Sequence, residues 1–325
     1  MKKILITGGA GFIGSHLCDA LCSNENKVFV LDNFSTGSLK NMAHLPVELI
    51  EQDVCDPINL NELDEIYHLA SPASPQMYQR DPLFTLKTNF LGSLRALELA
   101  EKTGAKILLS STSEVYGDPL VHPQPETYYG NVSTVGPRSC YDEGKRVAET
   151  LFMDFHRSKK VDIRIARIFN TYGPRMQNDD GRVVNQFLDQ ALSGQPITIY
   201  GDGSQTRSLC YVDDMVQGLM SLMNHPQLKG PVNLGSTEEI SILALAQLML
   251  EKTQSKSTLI FEKLPQDDPT QRRPDITLAQ SLLGWDPKID LSRGLDLLIE
   301  IKKTQSIKKK DHGSIIGIEG DFKLT

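Results

Sequence analysis

Tyr141 and Lys145 stand four residues apart in the segment CYDEGKRVAE. At helical spacing both side chains leave the same face. A phenol is too weak an acid to be a base at neutral pH, but a nearby ammonium favours the phenolate. Such a pair suits alcohol–ketone redox chemistry, in which Tyr141 takes a hydroxyl proton while a hydride departs to an acceptor. Upstream, Thr112-Ser113-Glu114-Val115-Tyr116-Gly117 follows the apolar run KILLS. Thr112 or Ser113 can hydrogen-bond the reacting hydroxyl and Tyr141, and Glu114 adds a carboxylate in the same place.

The hydride acceptor is indicated at the start of the chain. Thr7-Gly8-Gly9-Ala10-Gly11-Phe12-Ile13-Gly14 satisfies both G-x-G-x-x-G and T-G-x-x-G-x-x-G spacing. Glycine permits the tight turn and lets backbone approach a pyrophosphate at a helix N-terminus, where unpaired N–H groups favour anions. Gly14 lets the helix pack closely on the sheet. Asp32 ends the next apolar run, VFVLD. A carboxylate there accepts both ribose hydroxyls of NAD and repels the phosphate of NADP. The positive nicotinamide ring would further favour a Tyr141 phenolate. Asp53, after a third run, could reach the adenine amine or cap a helix.

Short apolar runs alternate with helical spacing through the first half. Strands are expected at Lys3 to Thr7, Val28 to Leu31, Glu48 to Glu51, Ile66 to Ala70, Lys106 to Ser110 and Asp162 to Phe169. Helices are expected at Phe12 to Ser23, Asp81 to Lys102 and Tyr141 to Arg157, the second started by Asp81-Pro82. Continuous apolar strands between helices imply an α/β fold, a doubly wound parallel sheet covered on both faces. Gly117 to Pro137 reads as a long functional loop. Beyond Gly173 the pattern is less regular, with helices at Val183 to Leu192, Asp213 to Met223 and Ile242 to Glu251. The division is therefore a dinucleotide domain over 1–175, joined by later segments, a smaller lobe over 176–301, and a solvated mobile tail over 302–325.

Composition narrows the function. The 325 residues carry 34 basic and 41 acidic side chains, a net charge of −7. That disfavours nonspecific nucleic-acid binding, which needs phosphate neutralisation. No apolar run reaches the roughly 20 residues of a membrane helix. Five cysteines at wide spacing, with no CxxC, imply neither a disulfide framework nor a zinc site and fit a reducing compartment, the cytoplasm. No metal is expected.

With these features assembled, the chain resembles the extended short-chain dehydrogenase/reductases acting on nucleotide sugars. SPASP, TLKTN, STSEVYGDP, RIFNTYGPRM, NDDGRVV, YGDGSQTRS and DDPTQRRPDI narrow the resemblance to the UDP-glucuronate decarboxylase family, from Lys3 to about Ile301. The resemblance implies a Rossmann domain with a nucleotide-sugar lobe, a homodimer, and NAD recycled within one turnover. It implies that Tyr141 takes the 4-hydroxyl proton as hydride leaves carbon 4. The 4-keto sugar is then a β-keto acid and loses carbon dioxide, and protonation at carbon 5 with return of hydride gives UDP-xylose. It assigns NAD contacts to Gly8, Gly11, Phe12, Ile13, Gly14, Asp32, Asn33, Phe34, Thr36, Gly37, Asp53, Val54, Leu69, Ser71, Thr88, Tyr141, Lys145 and Thr171. Substrate contacts fall on Lys87, Asn170, Arg182, Tyr200, Arg207 and Arg272, with Arg207 suited to the diphosphate and Arg272 to the uronate carboxylate. Arg272 joins Tyr141, Lys145, Thr112, Ser113 and Glu114 as the catalytic set. Glu114 is open between orienting the carboxylate and helping reprotonation.

Three rivals remain. A 4,6-dehydratase usually has Asp-Glu where this chain has Ser113-Glu114. A 4-epimerase has no need of Glu114 with Arg272. A catalytically dead dinucleotide sensor would lose Tyr141 or Lys145, and both are present.

Overall fold

The computed structural model describes residues 1–177, 181–264 and 271–313, with 305–313 as backbone only. Hydrophobic strands build the centre. β1 (Lys3–Thr7), β2 (Lys27–Asp32), β3 (Glu48–Glu51), β4 (Glu65–His68), β5 (Lys106–Thr112) and β6 (Ile163–Ile168) pair in parallel with one another, and the Pro231–Leu234 strand completes a seven-stranded sheet on the β6 edge. The order from that edge is Pro231–Leu234, β6, β5, β4, β1, β2, β3. The order reverses between β1 and β4, and ligands of doubly wound sheets bind outside the carboxyl ends at such a point.

Alternation along each strand feeds two cores. Ile4 and Ile6 pack on one face with Val28, Val30 and Leu219, all essentially inaccessible to solvent. Leu5, Leu31, Ile66, Leu109 and Ile165 pack on the other with Ala96, Ala148 and Phe152. Helices α1 (Phe12–Cys22) and Val212–Asn224 cover the first face, and Ser93–Thr103 and Ser139–Lys159 the second. Val212–Asn224 and Pro231–Leu234 lie past residue 175, so the later part of the chain returns to finish the sheet. Among the described residues the rest of the second half adds the helices Val183–Ser193, Ile242–Thr253 and Leu291–Gly313 and three two-stranded ribbons, pairing Ile197–Tyr200 with Leu259–Glu262, Thr206–Ser208 with Glu239–Ser241, and Thr171–Tyr172 with Cys210–Tyr211.

Two expectations change. The single helix expected over 81–102 is three joined segments, Pro82–Lys87, a π turn Thr88–Gly92, and Ser93–Thr103. Asn89 is buried there, accepting from Ser71 Oγ at 3.0 Å and donating to the Thr85 carbonyl at 3.1 Å. Side-chain bonds of this kind at a widened turn are invisible to periodicity. The tail boundary at 302 falls inside the helix Leu291–Gly313, and Lys302 Nζ is bonded to Asp189 at 3.0 Å. Residues 314–325 of that tail lie outside the described residues, as do Asn178, Asp179 and Asp180 and positions 265–270 of the motifs that contain them.

The glycine turn is sterically closed. Gly8 has φ +72°, and a Cβ on Gly14 would sit 2.2 Å from the Gly8 carbonyl oxygen and 2.8 Å from the Gly9 Cα. Neither obstacle is a movable side chain. Gly14→Ala should therefore cost about 1–3 kcal/mol or more, seen as a lower denaturant midpoint at unchanged m-value. A variant as stable as wild type would show that the turn can open.

Candidate active site

A cleft of about 1220 Å³ runs along the carboxyl ends of the sheet and into the second lobe. Gly8, Gly11, Phe12, Ile13 and Gly14 form its floor. Helix α1 begins after Gly11 with no side-chain cap, so its first N–H groups remain available to an anion. Asp32 is 7% exposed at the end of β2, and its carboxylate accepts the Ala10 and Phe34 amides at 2.9 Å each. Burial raises its pKa, opposed by those two amides. A carboxylate fixed there beside an uncapped helix end matches the donor and acceptor set that a dinucleotide presents, so the residues fit NAD.

The structure brings most of the expected residues to this cleft. Asn33, Thr36, Val54, Leu69, Ser71, Thr88 and Thr171 line it, as do Thr112, Ser113, Glu114, Tyr141 and Lys145. So do Asn170, Arg182, Tyr200, Arg207 and Arg272 from the substrate set. Four do not. Phe34, at φ +56°, packs against the core. Gly37 backs Asp32, where a Cβ would meet Oδ1 at 2.9 Å. Asp53 accepts the Asn33 side chain at 3.0 Å and the Cys55 amide at 2.9 Å, which leaves Val54 as the lining residue of that pair. Lys87 is exposed at the end of Pro82–Lys87, away from the lining.

Helix Ser139–Lys159 carries Tyr141 and Lys145 side by side into the buried interior. The Tyr141 ring stacks on Tyr78 with centroids 5.0 Å apart and planes 3° from parallel. Thr112 hydrogen-bonds the phenol and accepts the Glu114 amide at 3.2 Å. Lys145 Nζ lies 5.8 Å from the Tyr141 ring centre and donates to the Ser110 carbonyl at 2.8 Å. Burial pulls the lysine pKa down to about 7. Burial also pushes the Tyr141 phenol up, with the Thr112 bond and Arg182 opposing and the Glu114 and Asp142 charges assisting. Among the protein's own groups burial is the largest effect, and it keeps the proton on the phenol.

Glu114 is not the spare carboxylate that its position suggests. Arg272 Nη2 reaches Oε2 at 2.8 Å, Arg272 Nη1 reaches Oε1, and Arg138 Nη2 donates to Oε2 at 2.9 Å. Burial acts to raise the Glu114 pKa, but the two guanidiniums overcome it and hold the carboxyl down at about 2. Arg272 is 4% exposed. Arg138 precedes the Ser139–Lys159 helix and carries no spacing signal, so the sequence reading missed it. It also missed Asp142, whose neighbours in sequence are the obvious catalytic pair.

At the other end, Arg207 is 7% exposed and donates to the Thr206 carbonyl at 2.8 Å, and the Arg182 guanidinium lies 5.6 Å from the Phe12 ring centre. Arginines facing a helix N-terminus across a cleft make a site for a polyanion despite the acidic chain.

A model of the NAD dependent epimerase/dehydratase family matches residues 4–235, and the chain belongs to that family. Within it, the chain is 55% identical over 303 residues to UDP-glucuronic acid decarboxylase 5 of Arabidopsis thaliana, covering 92% of this chain and 88% of that one. It is 54% identical to UDP-glucuronic acid decarboxylase 1 of Danio rerio, covering 92% and 72% respectively. Among solved structures, UDP-glucuronic acid 4-epimerase from Bacillus cereus, in complex with UDP-glucuronic acid and NAD, superposes with TM-score 0.81 at 30% identity, covering 93% of this chain and 99% of that one. UDP-glucose 4-epimerase from Thermotoga maritima superposes at 0.86 with 33% identity, covering 93% and 99%.

Removing the Glu114 charge would leave two buried arginines uncompensated. Glu114→Gln should lower stability by about 3–5 kcal/mol in denaturant unfolding at neutral pH. Because the folded pKa is depressed, the wild-type contribution is present above about pH 4.5 and fades as pH falls towards 2. The variant should lack that part of the acid limb. Equal stability of the two proteins across this range would show that the arginines find other partners.

Proposed function

We propose that this protein converts UDP-glucuronate to UDP-xylose and carbon dioxide, with NAD returned to its starting state in every turnover. The observation that carries the reading is a buried Tyr141 hydrogen-bonded by Thr112, in one cleft with the Arg272–Glu114–Arg138 cluster, in a chain more than half identical to UDP-glucuronic acid decarboxylases. Arg272 and Arg138 against Glu114 leave one net positive charge, which suits a uronate carboxylate and stabilises it until it is lost.

Gly8, Gly11, Gly14, Asp32 and the start of α1 would hold NAD, with Asp32 favouring free ribose hydroxyls. Bound there, NAD would supply reversible hydride acceptance at carbon 4, so that the sugar's carboxylate would stand β to a ketone and become labile. The chain's own residues do the rest. Tyr141 removes the 4-hydroxyl proton and later restores it, with Thr112 sharing the hydrogen bond. Lys145, held by Ser110 with its Nζ 5.8 Å from the Tyr141 ring centre, supplies positive charge that strengthens as pH falls through about 7. Arg207 and Arg182 take the diphosphate by charge-assisted bonds. Ser113 stands where a dehydratase needs an acid to expel water, and a hydroxyl there is unsuited to that task.

We also propose a homodimer through the outer face of 82–92. Leu83, Leu86 and Phe90 share that face and are 71%, 41% and 39% exposed. Five free thiols support a reducing compartment, the cytoplasm. No helix among the described residues is long and apolar enough to cross a membrane.

Purified protein given UDP-glucuronate and no reductant should release carbon dioxide and form UDP-xylose. UDP-galacturonate without carbon dioxide would instead identify a 4-epimerase. Tyr141→Phe should lower kcat by about 10²–10⁴ while keeping bound coenzyme, checked by product assay and absorbance of the isolated protein. Leu86→Glu should halve the sedimenting mass if the dimer forms here. An unchanged mass would move the interface elsewhere.

A further inference from the structure

Proton balance leaves one delivery unassigned. Carbon dioxide departs from the carboxylate with its electron pair left on carbon 5, and the new C–H bond there consumes one proton. Tyr141 takes a proton from the 4-hydroxyl and returns it, so it ends each turnover as it began. The carbon 5 proton therefore comes from solvent, once per turnover, into a cleft with buried walls. This inference rests on the decarboxylase reading.

A second cavity of about 300 Å³ lies behind the Glu114–Arg138 pair, and both residues line it as well as the main cleft. Its other walls include Asn131, Val132 and Ser133 from the 117–137 loop, and Asp142. At roughly 30 Å³ per water such a space holds several, and its polar walls suit them. Asp142 follows Tyr141 on the same helix, is 7% exposed, and has its Oδ1 buried with no hydrogen-bond partner. It faces Glu114 and Arg138, Arg272 from the second lobe, Glu143 on its own helix and the Tyr78 and Tyr141 rings, and Asp118 lines the cavity with it. Burial and then the Glu114 charge push its carboxyl well above the usual range against both arginines. The same arginines hold Glu114 well below it. Two neighbouring carboxyls driven apart in this way divide into an acid and a base near neutral pH.

We infer that the side cavity is a proton inlet and that Asp142 is its relay, giving a proton through water ordered by Glu114 to carbon 5 and recovering one from the water behind it. The carboxylic O–H breaks as the C–H forms, and the resulting carboxylate is reprotonated from solvent. Asp142 acts through water and Glu114, so it positions and stores the proton without touching the sugar.

Asp142→Asn keeps the shape and cannot exchange a proton. Wild type near neutral pH should show the infrared band of a protonated carboxyl that the variant lacks. The variant should lose at least ~10-fold in kcat, with KM for UDP-glucuronate and bound coenzyme unchanged. Its solvent deuterium isotope effect should rise, and UDP-4-keto-pentose should leak from it. The fall of wild-type kcat at high pH, where Asp142 ionises, should be missing. Val132→Phe, which fills the cavity from a half-buried loop position, should show the same isotope effect and leak. If Asp142→Asn, or Val132→Phe where the first does not fold, makes UDP-xylose at the wild-type rate with an unchanged isotope effect, the relay is overturned and the decarboxylase reading stands. If wild type releases no carbon dioxide, that reading falls and takes the relay with it.

Discussion

One buried contact joins the two halves of the site. Glu114 sits on the turn after β5, Arg272 comes from the second lobe, and the two meet through paired guanidinium–carboxylate bonds, with Arg138 on the other side. Taking these charges out of water is costly, and the cost is offset only while all three are present. The same contact therefore ties the segment that carries Arg272 to the turn after β5, keeps Glu114 ionised, and leaves a positive surplus in the cleft. It also sets the electrostatic field in which Asp142 and Tyr141 hold their protons.

The rest of the cleft follows a similar logic of burial against compensation. Asp32 is kept as an acceptor by two backbone amides, and Lys145 keeps its position by a bond to Ser110. Tyr141, between an apolar ring and the Thr112 hydroxyl, holds its proton until a partner in the cleft changes the balance. A buried phenol of this kind is poised for a reaction in which the positive charge needed to ionise it arrives with the reactants. An acidic protein can still present positive charge to a polyanion, because Arg138, Arg207 and Arg272 are buried along one cleft.

Much of this was legible in the chain. Apolar runs of strand length gave β1 and β3 to the residue, and helix capping at Asp81-Pro82 marked where the next helix starts. The glycine spacing and Asp32 marked the dinucleotide end because a turn that tight tolerates few residue types. The π turn at Thr88–Gly92 was not legible, since a single widened turn leaves helical periodicity intact while Asn89 makes bonds to Ser71 and Thr85. Nor was the placement of Phe34, Gly37 and Asp53, because a loop residue's side-chain direction depends on a few backbone angles that residue type does not dictate. Arg138 and Asp142 were missed because the groups they meet, Glu114 and Arg272, are distant along the chain and brought close only by the fold.

What the sequence determined by itself is local or periodic: strand and helix positions, a phosphate-binding turn, the Tyr141–Lys145 pair, and a family resemblance carried by short motifs. These depend on steric fit and patterning over a few residues. Tertiary structure alone decided the charge states. Glu114 could be a free surface acid, a base or a pinned ion on the evidence of spacing, and only the arrival of Arg272 from 158 residues away makes it the last. Coulombic and desolvation effects depend on distances between atoms that the chain order does not contain.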